Sequence, residues 1–489
     1  MHKKICIIGG GLSGSVLAKY LLEKTKFEIQ IIDVDNINKK YKSNFSLNDI
    51  FPFKNFSENL ITFAYGFGGS SNYWHGVLTD LDKIDLHRIK DQCGSLDWIK
   101  KSVEDTGNNL FPELKHLFKI NKKNLRTLPL PEYLNKYWDE KFFLVPKKPL
   151  RGRKVLEELL MKYKKRLTLI GDSIAIKLIL SKDKNSKTIE KIQINSKGKF
   201  KNIEADFFIC SLGALETPRL IMQSFPYEEF IQKFAGQGLM DHPSAVFAEI
   251  EYAKKIKSPI SFPSLIKSSF IRKGYKPKKL INNRNPSLGL IPANKSLKES
   301  FINLSKSIFS SEEKSILTRF LEPSKNLAAP SMHYLQSKLG FGVNTKAYNI
   351  IFHHESLISD GGYIKLANTK DNYGRYNCNF KYPSLDFFYE TIDQIGYKLQ
   401  KLSNNNIISN LIIKKYQDIH PIPGSHYSGT CRISNNSSNG VCDNNLKVHN
   451  FSNLFICDPS VIPVIGNANL GLSIVRMASF LSSKFEEIK

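Results

Sequence analysis

The chain has no CxxC pair, no CxxCH haem-attachment site and no HExxH or comparable ligand cluster in its 489 residues. Those absences set aside a redox dithiol, an internal covalent haem and a zinc site, so no metal is expected. The seven cysteines are dispersed. Cys6, Cys210 and Cys457 stand in apolar runs, where a thiol serves as a small hydrophobe. With no disulfide framework in view, a reducing, cytoplasmic setting is expected. No run of 18 apolar residues occurs, which excludes a membrane-spanning helix of ordinary length. Acidic residues are in short supply: 45 Asp and Glu face 71 Lys and Arg, for a net charge of +26. The excess is mostly lysine scattered along the chain, densest at Lys147–Arg166 and Arg272–Lys279. It reads first as a solvated basic surface, and second as attraction to an anionic substrate or an acidic membrane surface. No recognised nucleic-acid motif accompanies it, so nucleic acid is not an expected partner.

What is present is an ordinary globular composition, 41% hydrophobic, in a chain long enough for two or three domains. Residues 4–33 read as strand, glycine-rich turn, helix and strand. Lys4–Ile8 is a short apolar run ended by glycines. Val16, Leu17, Tyr20 and Leu21 recur at helical spacing, and Phe27–Ile32 is rich in strand formers. The basic-then-apolar start also imitates a signal peptide, but its glycines have a better use. Residues 167–210 look strand-rich, ending in the apolar run Phe207–Cys210. A helix is predicted to follow, with Thr217 as N-cap and Pro218 at the first helical position. Residues 246–345 look irregular, 347–382 return to strand-like patterning, and a final helix is predicted from about Leu470. The Asn-rich pieces Asn404–Asn406 and Asn435–Asn439 read as loops.

Gly9, Gly11 and Gly14 form GxGxxG directly after a strand and at a helix opening. This arrangement gives a tight turn, close backbone approach to a pyrophosphate, and close packing of helix on strand. The helix N-terminus offers free N–H groups and a positive dipole end. Asp33 closes the second strand, where an acid binds a ribose hydroxyl. Asp33 and Asp35 also mimic the start of a calcium loop, but Asn38 replaces the required glycine. Far along the chain, Asp458 follows the apolar strand of NLFICDPS. It resembles the late strand–Asp element of FAD enzymes, whose carboxylate contacts the ribityl or pyrophosphate region. No second GxGxxG serves a nicotinamide, since Gly236 and Gly238 follow no evident strand.

Five segments then point to one family: GGGLSG at the start, GFGGSSNYWHG at 66–76, CSLGALETPRL at 210–220, GQGLMDHP at 236–243, and the run from HYSGTCRI to VIPVIGNANLGLS. In this order they resemble the glucose–methanol–choline (GMC) flavoprotein oxidoreductases. The resemblance implies an α/β chain, α+β overall, with a discontinuous Rossmann-like FAD-binding domain and a substrate domain on an antiparallel sheet. Its implied division is 1–80, 161–245 and 420–489 for FAD, 81–160 for a connecting and cap region, and 246–419 for substrate. Gly68, Gly69, Ser70, Ser71 and Asn72 are implied flavin neighbours. His426 and Asn469 are the implied catalytic pair. The chain departs from the family at Ile433, Ser434, Leu470 and Ser473. Tyr73 stands where some members tether FAD through histidine, so non-covalent FAD is expected, with His75 nearby.

Alcohol oxidation removes a hydroxyl proton and passes a hydride to the flavin. A neutral imidazole suits the first task, since its ordinary pKa is about 6.5. An asparagine can donate to a developing alkoxide without competing for the proton. The expected activity is oxidation of a CH–OH group on a sugar-like or other polyhydroxylated small molecule, with an external electron acceptor left open. The competing readings are a lyase of the same fold, an NAD-dependent dehydrogenase and a basic binding protein without turnover. His353 and His354, adjacent in a probable strand, should face opposite sides. Either of them, or Glu355, is a secondary candidate for lining the substrate pocket. His242 reads as a turn residue before proline.

Overall fold

A computed structural model of the chain describes residues 3–35, 63–100, 110, 137–146, 148–182, 186–257, 260–261, 269–292, 344–401 and 408–488. In chain order it runs β1 (Lys4–Ile8), α1 (Leu12–Lys24), β2 (Glu28–Ile32), α2 (Lys83–Cys93), β3 (Trp138–Pro146) and α3 (Gly152–Lys162). Five strands follow: β4 (Leu167–Ile170), β5 (Ser173–Leu180), β6 (Ile189–Ser196), β7 (Lys199–Glu204) and β8 (Phe207–Cys210). Next come α4 (Gly213–Ser224), β9 (Gln237–Leu239), β10 (Ser244–Lys257), β11 (Ile260–Ser261), β12 (Ser269–Pro277) and β13 (Ser287–Pro292). The chain ends with β14 (Asn344–His353), β15 (Gly362–Lys370), β16 (Tyr376–Lys381), α5 (Asp386–Gln400), β17 (Ile408–Ile413), β18 (Leu454–Ile456) and α6 (Leu470–Glu486).

Four sheets result. The first is parallel, in the order β18-β8-β1-β2-β4. Its central strand β1 is buried over Ile5–Ile8, which explains the unbroken apolar run in the sequence. Helices α1 and α6 pack against each other in the core around this sheet. The second sheet is antiparallel in its pairings, in the order β11-β12-β13-β14-β10-β17 with β3 alongside β12. Buried Phe247, Tyr348 and Phe352 pack here with Phe388 and Ile392 of α5 to form a second core. Three-stranded sheets β16-β15-β9 and β5-β6-β7 complete the fold.

Two expectations change. The stretch 246–345 is largely strand where it is described: it contributes β10, β11, β12, β13 and the start of β14, joined in part by the loop 278–286, while 258–259, 262–268 and 293–343 lie outside the described residues. Lysines along β10 concealed the apolar face that Phe247 and Ile250 bury. Helix α4 begins at Gly213 rather than beside Thr217, so Pro218 lies inside it. A proline there removes the N–H that would bond the carbonyl of Ala214. The Thr430 hydroxyl donates to that carbonyl instead, at 2.7 Å. Thr217 is not a cap. Its hydroxyl donates to Asp458 Oδ2 at 2.5 Å.

Candidate active site

The N-terminal cradle forms as its glycines require. Gly9 takes φ +104°, a conformation that side chains resist. A Cβ on Gly14 would lie 2.1 Å from the Gly9 carbonyl, so strand and helix can approach only with glycine there. A Cβ on Gly11 would meet no atom within 4 Å. It would point into a cavity of about 780 Å³ whose wall includes Gly9, Gly11, Ser13 and Asp33. Among the described residues no side chain caps α1, and its first turn holds no acid, so its leading N–H groups suit an anion. Asp33 is buried, accepts the Gly10 N–H at 2.7 Å, and has its carboxyl pushed up to about 6 by desolvation. One carboxylate oxygen thus braces the turn while the residue faces the cavity.

The 66–76 loop forms the adjoining wall. Gly68, at φ +91°, leads into a tight turn over Gly69–Asn72. Ser71 donates to the Gly68 carbonyl at 2.5 Å and accepts the Gly152 N–H at 2.9 Å. Arg151 donates to the carbonyls of Ser71 and Trp74. Gly69, Ser70 and Ser71 face the cavity. Gly68 and Asn72 lie behind it, and Asn72 donates to the Phe67 carbonyl at 2.9 Å. Asp458 also sits behind the wall, unlike the sequence reading. Its buried carboxylate accepts from Gly213 N (3.0 Å), Thr217 and Ser460 N (2.8 Å). It joins α4 to the turn after β18, and its neighbour Pro459 is the residue on the wall.

His426 and Asn469 meet on this same cavity. Asn469 occupies the N-cap position of α6, but its side chain makes no cap bond. Its amide instead lies 3.3 Å from His426 Nε2. Burial holds the His426 pKa below its ordinary value, against an opposing pull from Asp241. His242 is not merely a turn residue: its Nδ1 lies 2.9 Å from His426 Nδ1, and its Nε2 lies 2.7 Å from the Gly466 carbonyl. Desolvation drives the His242 pKa well down, with His426 adding to the effect.

Sequence reasoning also gave no role to Asp241. This fully buried carboxylate accepts the N–H groups of Gly424 (2.9 Å), Ser425 (3.3 Å) and His426 (2.7 Å), together with the Tyr382 hydroxyl (2.8 Å). It holds Ser425 at φ +60° and thereby aims His426. Its position inside the DHP triplet was the available signal. His353 faces the cavity beside Ser244, its partner across β14 and β10. His354 is buried among Phe352 and Phe388, so the two histidines do face apart. Glu355 lies off the wall and accepts the Gly466 N–H at 2.8 Å.

The cavity therefore joins an uncapped glycine-rich helix start to a histidine–asparagine pair, and the residues present fit an adenine dinucleotide bearing a redox ring. Residues 358–478 match the GMC oxidoreductase family. No curated protein sequence matches the chain. Among solved structures, pyridoxine 4-oxidase from Mesorbium loti is 14% identical with a TM-score of 0.61, over 99% of each chain. A variant of Aspergillus oryzae RIB40 formate oxidase, studied for FAD modification, is 16% identical with a TM-score of 0.58, over 100% of this chain and 99% of that one. A further formate oxidase structure is 15% identical with a TM-score of 0.55, over the same shares. At these identities the structural likeness speaks for the fold, and the match over 358–478 speaks for the family. Residues 358–478 thus match the GMC oxidoreductase family, and the chain as a whole shares the fold of these oxidases.

Proposed function

We propose that the chain oxidises a CH–OH group of a neutral, sugar-like or other polyhydroxylated small molecule, with His426 as the base. The observation that carries this is the placement of His426 Nε2 beside Asn469 Nδ2, 3.3 Å apart, on the cavity that also contains the glycine cradle. FAD, when bound, supplies the hydride acceptor. Gly9, Gly11 and the first turn of α1 would hold its pyrophosphate, Asp33 a ribose hydroxyl, and Gly69–Ser71 would lie along its ring system.

Each remaining task belongs to a residue of this chain. His426 accepts the hydroxyl proton at Nε2, and the Asn469 amide donates to the oxygen as negative charge develops. Asp241 keeps the His426 backbone in place. The charges on the described wall are Asp33, Glu216, Arg219 and Arg375. The last three form one cluster with Tyr65 and Asp371, bonded among themselves, and none of the four bonds to His426. Around the histidines the described wall offers Ser244, His353, Ser425, Trp74 and Ile422. A neutral substrate with several hydroxyls suits that lining better than a carboxylate does.

Anaerobic mixing of FAD-loaded protein with a panel of sugars, polyols, aromatic alcohols and small carboxylates tests the reading. Loss of the flavin's visible absorbance with polyols or sugars is the expected result. Bleaching by carboxylates alone would refute the substrate class. Conversion of substrate without bleaching would indicate a lyase.

A further inference from the structure

We propose that His242 fixes the tautomer of His426, carrying an orientation signal from the Gly466 carbonyl to the lone pair that faces the cavity. The inference rests on His426 being the base, as proposed above, for its consequence but not for its geometry. Three contacts in series carry it.

A neutral imidazole has one N–H and one lone pair. His242 Nε2 lies 2.7 Å from the Gly466 carbonyl, which can only accept, so the hydrogen of His242 sits on Nε2. Burial keeps this ring uncharged. Its Nδ1 therefore presents a lone pair, and it presents that lone pair to His426 Nδ1 at 2.9 Å. His426 must place its own hydrogen on Nδ1 to meet it. What remains on His426 is the lone pair of Nε2, opposite the Asn469 amide donor. The reverse assignment puts two lone pairs face to face between the rings, or leaves the Gly466 carbonyl facing a lone pair.

The start of the series is itself held firmly. Gly466 donates its N–H to Glu355, and the fully buried Glu355 is braced by Arg88 at 2.9 Å and by Asn285 N at 2.6 Å. Gly466 takes φ +57°, and a Cβ there would lie 2.2 Å from Asp85 Oδ2, so only glycine allows this approach. The residue that sets the tautomer is thus held at its N–H by Glu355 and packed closely against Asp85. His242 is a positioning residue: it acts through His426 and takes no proton from substrate. Its absence would let His426 populate the form with hydrogen on Nε2, which cannot accept a hydroxyl proton there.

Solid-state 15N NMR on FAD-loaded protein with labelled histidine rings reads this directly. The His426 signals are identified by their loss in His426→Ala. Wild-type protein should show His426 protonated at Nδ1. His242→Leu, which removes the acceptor, should shift His426 toward Nε2 protonation. His242→Asn, whose side-chain carbonyl can accept from Nδ1, should keep the wild-type form. Flavin reduction should slow by about 10²-fold in the leucine variant, within the worth of a positioned base, with substrate affinity nearly unchanged and most of the rate recovered in the asparagine variant. A wild-type His426 protonated at Nε2 overturns the proposal whether or not any variant folds. An unchanged Nδ1 tautomer in His242→Leu overturns it as well. If wild-type His426 is protonated at Nδ1 and no alcohol reduces the flavin, the tautomer assignment stands and the proposed activity falls.

Discussion

The Thr430 hydroxyl donates to the carbonyl of Ala214, occupying the place of the N–H that Pro218 lacks. Thr430 ends the HxxGT segment that begins at His426, while Ala214 lies in the first turn of α4, on the cavity wall. One hydrogen bond therefore ties the His426 loop to a helix on the cavity wall. Thr430→Val should cost about 1–3 kcal/mol, the penalty of a buried carbonyl left without a donor. Adding Pro218→Ala restores an N–H at the right place and should recover part of that loss. Thermal unfolding of the two single variants and the double variant checks this, and simple additivity would show that the residues are not coupled.

The two motif glycines should fail in different ways. A side chain at Gly11 has room in the protein but enters the cofactor's approach, so Gly11→Val should fold and bind no FAD. A side chain at Gly14 meets the Gly9 carbonyl, so Gly14→Val should destabilise the protein itself. Asp33→Ala should weaken FAD binding without abolishing it. Circular dichroism together with flavin absorbance separates these cases. A yellow, stable Gly11→Val protein would show that the cradle lies elsewhere.

With Tyr73 in the tether position, FAD should leave the protein on acid or heat treatment. Flavin that remains on the denatured chain after gel filtration would contradict this and would direct attention to His75, which also faces the cavity.

His426→Ala should retain FAD and slow flavin reduction by about 10²–10⁴-fold, the usual worth of a positioned base. Asn469→Ala should cost about 10²–10³, the range for one lost donor to a developing oxyanion. Burial lowers the His426 pKa, so the neutral form required of a base prevails at neutral pH. The wild-type rate should be flat near pH 7 and fall only as pH drops below the ordinary histidine value of about 6.5. Stopped-flow reduction across pH measures both quantities. An alanine variant that keeps the wild-type rate and profile would remove His426 as the base.

Asp241→Asn should disturb the catalytic loop more than the cofactor site. In either orientation the new NH2 group must face an N–H of the loop, from Gly424 and Ser425 or from His426, at a cost of about 1–3 kcal/mol for a buried group without a partner. The expected result is a lower melting temperature and slower flavin reduction at nearly full FAD occupancy. Loss of FAD with unimpaired loop geometry in a crystal structure would contradict it.

What was legible in the sequence was local or carried by a family motif. GGGLSG, Asp33 and the run Lys4–Ile8 fixed the first Rossmann unit because their physics is contained within 30 residues. His426 and Asn469 were legible by resemblance, and the structure brings them together. Asp241, His242 and Glu355 were not given their roles, because their bonds reach 185, 184 and 111 residues along the chain. No periodicity reports a contact at that range. Asp458 misled for a related reason. An acid after a strand looks available to a ligand until Gly213, Thr217 and Ser460 are seen to occupy its oxygens.

The strand order of the parallel sheet has a consequence for how the protein is made. During synthesis β1, β2, β4 and β8 can associate early, but the outer edge of β8 stays open until residues 454–456 emerge. An unpaired apolar strand edge is a template for pairing with other chains. The α6 helix that packs on α1 arrives later still. A nascent chain stalled before that point would hold a glycine cradle without its neighbouring wall and with a sticky border. Expression yield should therefore depend on the speed and completeness of translation through the codons for residues 454–486, and chaperone demand should be greatest just before them.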